Sequence, residues 1–401
     1  MGLGDRLRER RDRAGLTQAA AARAIGAKRE LVSMWETEAR VPSLRQLKEL
    51  ARLYQANVGY LLGEEELDEK RERGALYGEL AWDAEARLEV ERWLDFLDDW
   101  AEFLKDVGQE LPGPSRPPRD LDEGRIVADA RRAPKLAAIV REYYWMDMDA
   151  VPDLYAFLEE VGVLVYRASL GDIGRGHDGV SGAFYNHPKL GYCILVNADT
   201  TPGRQAFTLA HEFAHALFHY PTVGVISRKG DRDPKERFAD AFAAHFLVPG
   251  SALRALSRHS WEENGVEPYR AVSLAAYFRV SYATLLYRLL QEGLIPKWNY
   301  EDLKEYSPRS MAEQLGLNAQ FFSIPERRPL YLERYPISVI EWVRWAIEEE
   351  ELSDAQAAGL LDVDVVTFRH QIGLIFDPPE ASEEEEQEFD ELPDDLSHRV
   401  A

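Results

Sequence analysis

The stretch AFTLAHEFAHALFHY, residues 206–220, decides how the rest of the chain is read. Phe207, Leu209, Ala210, Phe213, Ala214 and Leu217 are apolar or small, so the run predicts a packed helix over residues 204–219. His211 and His215 are four apart and therefore share one helical face, where each can give a ring nitrogen to one metal ion. Glu212 lies beside them. A zinc ion lowers the pKa of a bound water toward 7, and a neighbouring glutamate can take its proton as it attacks a carbonyl. Two histidines and a glutamate buried on one apolar helix require a compensating partner, which a metal supplies. The alternative is a helix with satisfied core histidines.

A catalytic zinc requires a third protein ligand and an open position. The position six past His215 is Pro221, so the extended motif with a third downstream histidine is absent. The candidate lies in ERFADAFAAHFLVP, residues 236–249, where Glu236 and Asp240 are again four apart. Glu236 can bind zinc, and Asp240 can hydrogen-bond the far nitrogen of a ligand histidine and fix its tautomer. Asp240 and His245 are rival ligands. His219 either lines the cleft or stands behind a ligand. His177, His187 and Tyr220 are equal candidates for stabilising an oxyanion. The strand Cys193–Val196 is a candidate edge to which an extended substrate would add.

The two segments FTLAHEFAHALFH and ERFADAFAAHFLVP resemble the ImmA/IrrE family of metallopeptidases. The segment VSGAFYN around Ser181 and the strand ending in Asn197 are similar as well, and the resemblance covers about residues 135–295. It implies that His211, His215 and Glu236 bind Zn2+ and that Glu212 is the general base. It also implies a gluzincin-like endopeptidase of the kind that cuts a single repressor protein in a bacterial stress or mobile-element switch.

Around these helices the pattern is mainly α with a small sheet, an α+β arrangement. Leu154–Val161 reads as helix. Val163–Tyr166, Val180–Tyr185 and Tyr192–Asn197 read as strands. Beyond residue 235 the patterns are nearly all helical. The expected metallopeptidase domain spans residues 130–296, preceded by a proline-rich linker over 111–129.

Residues 79–107 read as one long helix within an acidic segment, 63–110. Val90, Leu97 and Leu104 recur every seven residues, with Trp93 and Trp100 between them, as a and d positions do. Such a stripe packs on its own domain or pairs two chains, so a homodimer is an expectation.

The first 62 residues carry twelve Lys/Arg against seven Asp/Glu, although the whole chain has a net charge of −23. A basic head on an acidic protein favours a polyanion. The pattern LTQAAAARAIGAKRELVSMWETEARVPS resembles the XRE helix-turn-helix family, with Thr17 as an N-cap, Gly26 at the turn and Leu31, Val32 and Trp35 on a buried side. The resemblance implies double-stranded DNA as partner. Lys28, Arg29, Glu30 and Ser33 would then face the major groove, and Gln18 a phosphate. Fusion of such a head to the peptidase domain recurs in the ImmA/IrrE family.

Residues 297–376 form a second helical region, in which LSDAQAAGLLDVDVVTFRHQIG reads as a degenerate helix-turn-helix; so does Val272–Ile295. Asp362 and Asp364 stand where a DNA reader prefers cations, which points to a protein-contact module. Residues 377–401 carry eleven acids and one arginine and read as a disordered tail. With one cysteine, Cys193, no internal disulfide can form. No signal peptide or membrane span is evident, so the expected location is the cytoplasm, on the nucleoid when DNA-bound. The function expected is a DNA-binding regulator with a zinc endopeptidase that cleaves a regulatory protein in a stress, phage or toxin–antitoxin response. The alternative is a transcription factor whose peptidase fold senses or binds a partner without turnover.

Overall fold

The computed structural model describes residues 2–13, 16–54, 61–62, 84–109, 121, 127–171, 179–219, 224–228, 233–257, 261–325 and 331–376. The fold is α+β. The chain divides into two compact units, residues 1–328 with 334–336 and residues 329–333 with 337–401. Residues 297–325, grouped by sequence with the C-terminal module, belong to the first unit. The acidic tail and most of the proline-rich segment, residues 110–120, lie outside the described residues.

The head is built from α1 (Leu3–Arg13), α2 (Gln18–Ala24), α3 (Arg29–Glu36) and α4 (Leu44–Leu53). Thr17 caps α2 by accepting from the Ala20 N–H at 3.1 Å, which satisfies one free donor of the first turn. Ala20, Ala21 and Ala22 are buried, and their small side chains let α2 approach its neighbours closely.

The long helix α5 (Ala84–Asp106), then α6 (Ala133–Tyr143) and α7 (Leu154–Glu160), precede the sheet. Its strands are β1 (Leu164–Ala168), β2 (Val180–His187), β3 (Gly191–Asn197) and β4 (Gly224–Arg228), in the order β1-β3-β2-β4. β1 runs parallel to β3, and the other pairs are antiparallel. β4 was not anticipated: five residues, GVISR, are too short for a clear alternation. The Cys193–Val196 expectation is corrected by this order. β3 lies inside the sheet between β1 and β2, with both ladders filled, and β1 and β4 are its edges.

Every residue of β3 is buried, as a strand covered on both faces requires. One face presents Val165, Phe184, Tyr192, Ile194 and Val196 to the central core. This core includes Phe213 and Leu217 of α8 (Pro202–Phe218). The other face carries Tyr166 and Tyr185, and α5 covers it. Trp93 meets Tyr185 edge-on at 6.3 Å, and Phe96 lies 5.7 Å from Tyr166. The apolar stripe of α5 is thus buried within its own chain: Val90, Trp93, Leu97 and Trp100 are all buried. Each large apolar side chain so covered contributes about 1.5–3 kcal/mol. A dimer through this stripe would have to uncover the sheet.

After the sheet come α9 (Pro234–Leu247), α10 (Gly250–Leu256), α11 (Trp261–Asn264), α12 (Pro268–Tyr277), α13 (Tyr282–Gln291), α14 (Lys297–Leu303) and α15 (Pro308–Gln314). α9 packs on α8 through rings: Phe218 lies 5.2 Å from Phe238 and 5.4 Å from Phe242, and Phe213 lies 5.9 Å from Phe246. α12 and α13 form the degenerate helix-turn-helix, with Ser281 capping α13 at the Thr284 N–H. The second unit holds α16 (Ile337–Glu348), α17 (Asp354–Leu360) and α18 (Val365–Phe376). Ser353 and Gln356 form a capping box on α17. Asp364 accepts from the Val366 and Thr367 N–H groups and so caps α18. Among the described residues, no helix is long and apolar enough to cross a membrane.

Buried Arg288 of α13 ties this layer together. It donates to the Val248 carbonyl at 3.0 Å, to Glu292 at 2.6 Å and to His245 Nε2 at 3.3 Å. Burial and then the Arg288 charge push the His245 pKa down to about 4, against a weaker pull from Glu292. An unfolded His245 takes a proton near 6.5. Between pH 6.5 and 4 the unfolded chain therefore binds more protons, and stability falls as pH falls. Solvent screening limits the loss to about 1 kcal/mol, or about 2 °C in Tm. Melting curves at pH 7 and 5 should show His245→Gln losing about that much less than the wild type. Equal losses would count against this account.

Candidate functional site

α8 begins with Pro202 at its first turn, a residue whose fixed backbone suits that position. Its four-residue spacing carries His211, His215 and His219 along one line, and α9 lies alongside with Glu236 and Asp240. His211, His215 and Glu236 are all buried and bring ligand atoms within 4.8 Å of one another. The Nε2 atoms of His211 and His215 are 3.2 Å apart. Glu236 Oε2 lies 3.1 Å from His211 Nε2, and Oε1 lies 3.2 Å from His215 Nε2.

The outer nitrogens are oriented from behind. His211 Nδ1 lies 2.9 Å from Asp240 Oδ1, so it donates to the carboxylate. His219 Nε2 lies 2.6 Å from the Val127 carbonyl oxygen, which can only accept. That fixes the proton of neutral His219 on Nε2 and leaves its Nδ1 as an acceptor. His215 Nδ1, 2.8 Å away, must then donate. The consequence is that His215 Nε2 carries a bare lone pair facing Glu236. Val127 falls in the segment read from sequence as linker, and nothing in its residue type signals this role.

Electrostatics follow the same geometry. Burial disfavours charge on His211, but the carboxylates of Asp240 and Glu236 outweigh it and push its pKa up to about 10. Burial lowers the pKa of His215, with Glu236 opposing. Burial and then His215 push that of His219 down to about 3. Glu236 is held well below the usual carboxylate range, because the pull of its histidine neighbours, chiefly the hydrogen bond from His211, exceeds the penalty of burial. The cluster thus draws in positive charge: a proton on His211 stands where a metal cation would sit.

Glu212 points the other way, toward β2. It is fully buried, and among the described residues neither carboxylate oxygen meets a partner in good hydrogen-bond geometry. Burial pushes its pKa up to about 8, against the pull of His211 and the nearby Ser227 hydroxyl. Room for it comes from Gly182 of β2. A Cβ there would meet Thr208 Cγ2 at 2.7 Å, the Leu195 carbonyl oxygen at 2.8 Å and Glu212 Oε1 at 3.1 Å. The glycine was visible in the sequence; its placement opposite Glu212 depends on strand register.

The rival ligands separate in space. Asp240 sits behind His211, and His245 is engaged by Arg288. Among the oxyanion candidates, His187 is otherwise committed. Its Nδ1 accepts from the Lys189 and Leu190 N–H groups, and its Nε2 lies 3.0 Å from Asp98 of α5. His177 and Tyr220 lie outside the described residues.

In the head, α3 buries Val32, Trp35 and Glu36 and leaves Lys28, Arg29 and Glu30 exposed with Ser33 half-buried. The buried pair Arg11–Glu36 pins α3 to α1, with Arg11 Nε 2.5 Å and Nη2 2.9 Å from the Glu36 oxygens. Gln18 has a different partner from the one expected: its Nε2 donates to Glu36 Oε2 at 2.9 Å. That bond uses one of the two N–H groups of the amide and orients the side chain at the start of α2.

A basic helical head and a His/His/Glu cluster on paired helices define a helix-turn-helix regulator joined to a peptidase-like domain. Comparison with known families agrees. Residues 3–59 match the helix-turn-helix domain family, and residues 158–290 match the IrrE N-terminal-like domain of the M78 peptidase family. A stretch of 99 residues is 35% identical to the HTH-type transcriptional regulator ImmR of Bacillus subtilis, covering 25% of this chain and 77% of that regulator. The chain belongs to the XRE-type helix-turn-helix regulators and carries an ImmA/IrrE-type domain.

Proposed function

We propose that this protein is a DNA-binding transcriptional regulator whose second domain is a zinc-dependent endopeptidase acting on a specific regulatory protein. The observation that carries the reading is the His211–His215–Glu236 cluster. Two ring nitrogens 3.2 Å apart face one carboxylate, with Asp240 and His219 orienting the rings from behind. Such a donor set with a histidine-rich core suits Zn2+. When bound, the ion supplies Lewis acidity toward a carbonyl and lowers the pKa of water. Glu212 accepts the proton of the attacking water on its carboxylate and returns it to the leaving amine. The edge strand β4, paired to β2, is available for an extended segment of substrate to add to the sheet.

The head recruits this chemistry to DNA through Lys28, Arg29, Glu30 and Ser33 of α3, in a bacterial cytoplasm and on the nucleoid. One head reads a short half-site, so the reading includes a homodimer. The second unit serves as a protein-contact module, since Asp364 caps α18 where Lys28 precedes α3. Arg29→Ala should weaken operator binding by about 1–3 kcal/mol if it contacts a base, and flatten the salt dependence if it contacts phosphate. A gel-shift series over salt concentration measures both. Unchanged affinity and unchanged slope would remove α3 from the interface.

The second reading, a sensor without turnover, rests on the same donor set, since binding a metal does not require catalysis. Glu212 favours the peptidase: a buried carboxyl with no partner among the described residues costs stability in a domain that does not use it.

A further inference from the structure

A cavity of about 640 Å³ lies in the first unit, between the start of α7, the first turns of α8 and residues 318–325. None of His211, Glu212, His215 and Glu236 lines it. Its size is that of a small-molecule site. Val151, Leu154, Leu247, Phe278 and Phe321 supply an apolar wall.

The charged groups at its rim are not equivalent. Asp153 caps α7, accepting from the Tyr155 and Ala156 N–H groups. Arg309 is paired with Glu313 at 3.2 Å. Arg279 is left: among the described residues, its guanidinium has no partner. Its backbone is left-handed, as it is at five other non-glycine residues among those described. Arg279 has φ 51°, at the turn between α12 and α13. The corresponding turn in the head, between α2 and α3, uses Gly26 at φ 66°. Left-handed backbone costs a residue with a side chain about 1–2 kcal/mol. Arg279 is exposed, and a cation with no partner among the described residues, beside an apolar wall, offers a place for an acid with an apolar body.

We propose that this cavity binds a small amphipathic carboxylate, its apolar body against Phe278 and Phe321 and its carboxylate on Arg279. Because Pro202 and Ala206 of α8 line the same cavity, an occupant contacts the helix that carries His211 and His215. The site makes the protein a candidate receptor for an organic acid. It goes beyond the proposed function, and binding is measured apart from metal or cleavage.

The test is isothermal titration of the full chain with sodium decanoate and with sodium 4-phenylbutanoate, each below its aggregation threshold, beside the uncharged 1-decanol. The aliphatic and aromatic acids distinguish the two kinds of body. At least one acid should bind saturably at one site per chain. Arg279→Asn, which suits the left-handed backbone, should weaken that acid at least about tenfold, as loss of a charge-assisted contact does. It should leave decanol unchanged, and Arg279→Lys should stay within about threefold of wild type. The proposal is overturned if neither acid binds, or if Arg279→Asn binds the acid as wild type does. Either failure leaves the metal centre where it stands.

Discussion

Glu212→Gln should retain its metal and lose peptide cleavage by about 10²–10⁴-fold, the range removed with a general base. The amide has the shape of the carboxylate but cannot take the proton of water. Glu212 is not one of the three clustered donors, so metal content should match the wild type. Folding should not suffer, because the amide has the shape of the carboxyl and loses no hydrogen bond that Glu212 makes among the described residues. The measurement is incubation with proteins encoded beside its gene, with fragments read by mass spectrometry. Cleavage at the wild-type rate would show that another group is the base. Full regulatory function in cells carrying the variant would favour the sensor reading.

Glu36→Ala should destabilise the head by about 1–3 kcal/mol, the cost of leaving buried donors without their acceptor, while Arg11 keeps Asp12 and the Leu16 carbonyl. Arg11 and Glu36 are both nearly sealed from solvent, with side chains 8% and 3% exposed. Glu36 also holds Gln18, so one truncation leaves three donor nitrogens without their acceptor. Burial opposes the Arg11 charge, but Glu36 and Asp12 raise its pKa above the ordinary arginine value, so the guanidinium cannot escape by losing a proton. The expected result is an early melting step for the head, loss of operator binding and an intact metal centre. A variant that melts and binds DNA like the wild type would show that the pair does not hold α3 in place.

Local chemistry made much of this readable in the sequence. The Thr17 cap, the turn at Gly26 and the four-residue spacings in HEFAH and ERFAD depend only on near neighbours along one helix. The structure accordingly places His211, His215, Glu236 and Asp240 together. What required the fold were contacts that span the sheet or join distant segments. Strand order moved Cys193–Val196 from an edge to the interior, since nothing in an apolar seven-residue run tells how many neighbours it has. His187 ends β2 and holds the turn that follows, and it meets Asp98, 89 positions earlier, on the helix covering that face. Val127 anchors His219 through a backbone carbonyl, which residue type cannot reveal. Gln18 meets Glu36 because α2 and α3 pack together, a contact between two helices that the start of α2 alone does not show. The stripe on α5 showed that the helix must be covered but not by what.

The central claim is that His211, His215 and Glu236 form a zinc site, and zinc content per chain tests it most directly. Protein purified without chelator, and after dialysis against micromolar zinc, should hold close to one zinc per chain by elemental mass spectrometry. His215→Ala and Glu236→Ala should each fall to about a tenth of that or less, while His245→Ala, whose ring is held by Arg288, should stay at wild-type content. Equal zinc in the wild type and both ligand variants would contradict the account, as would a wild type that takes up none.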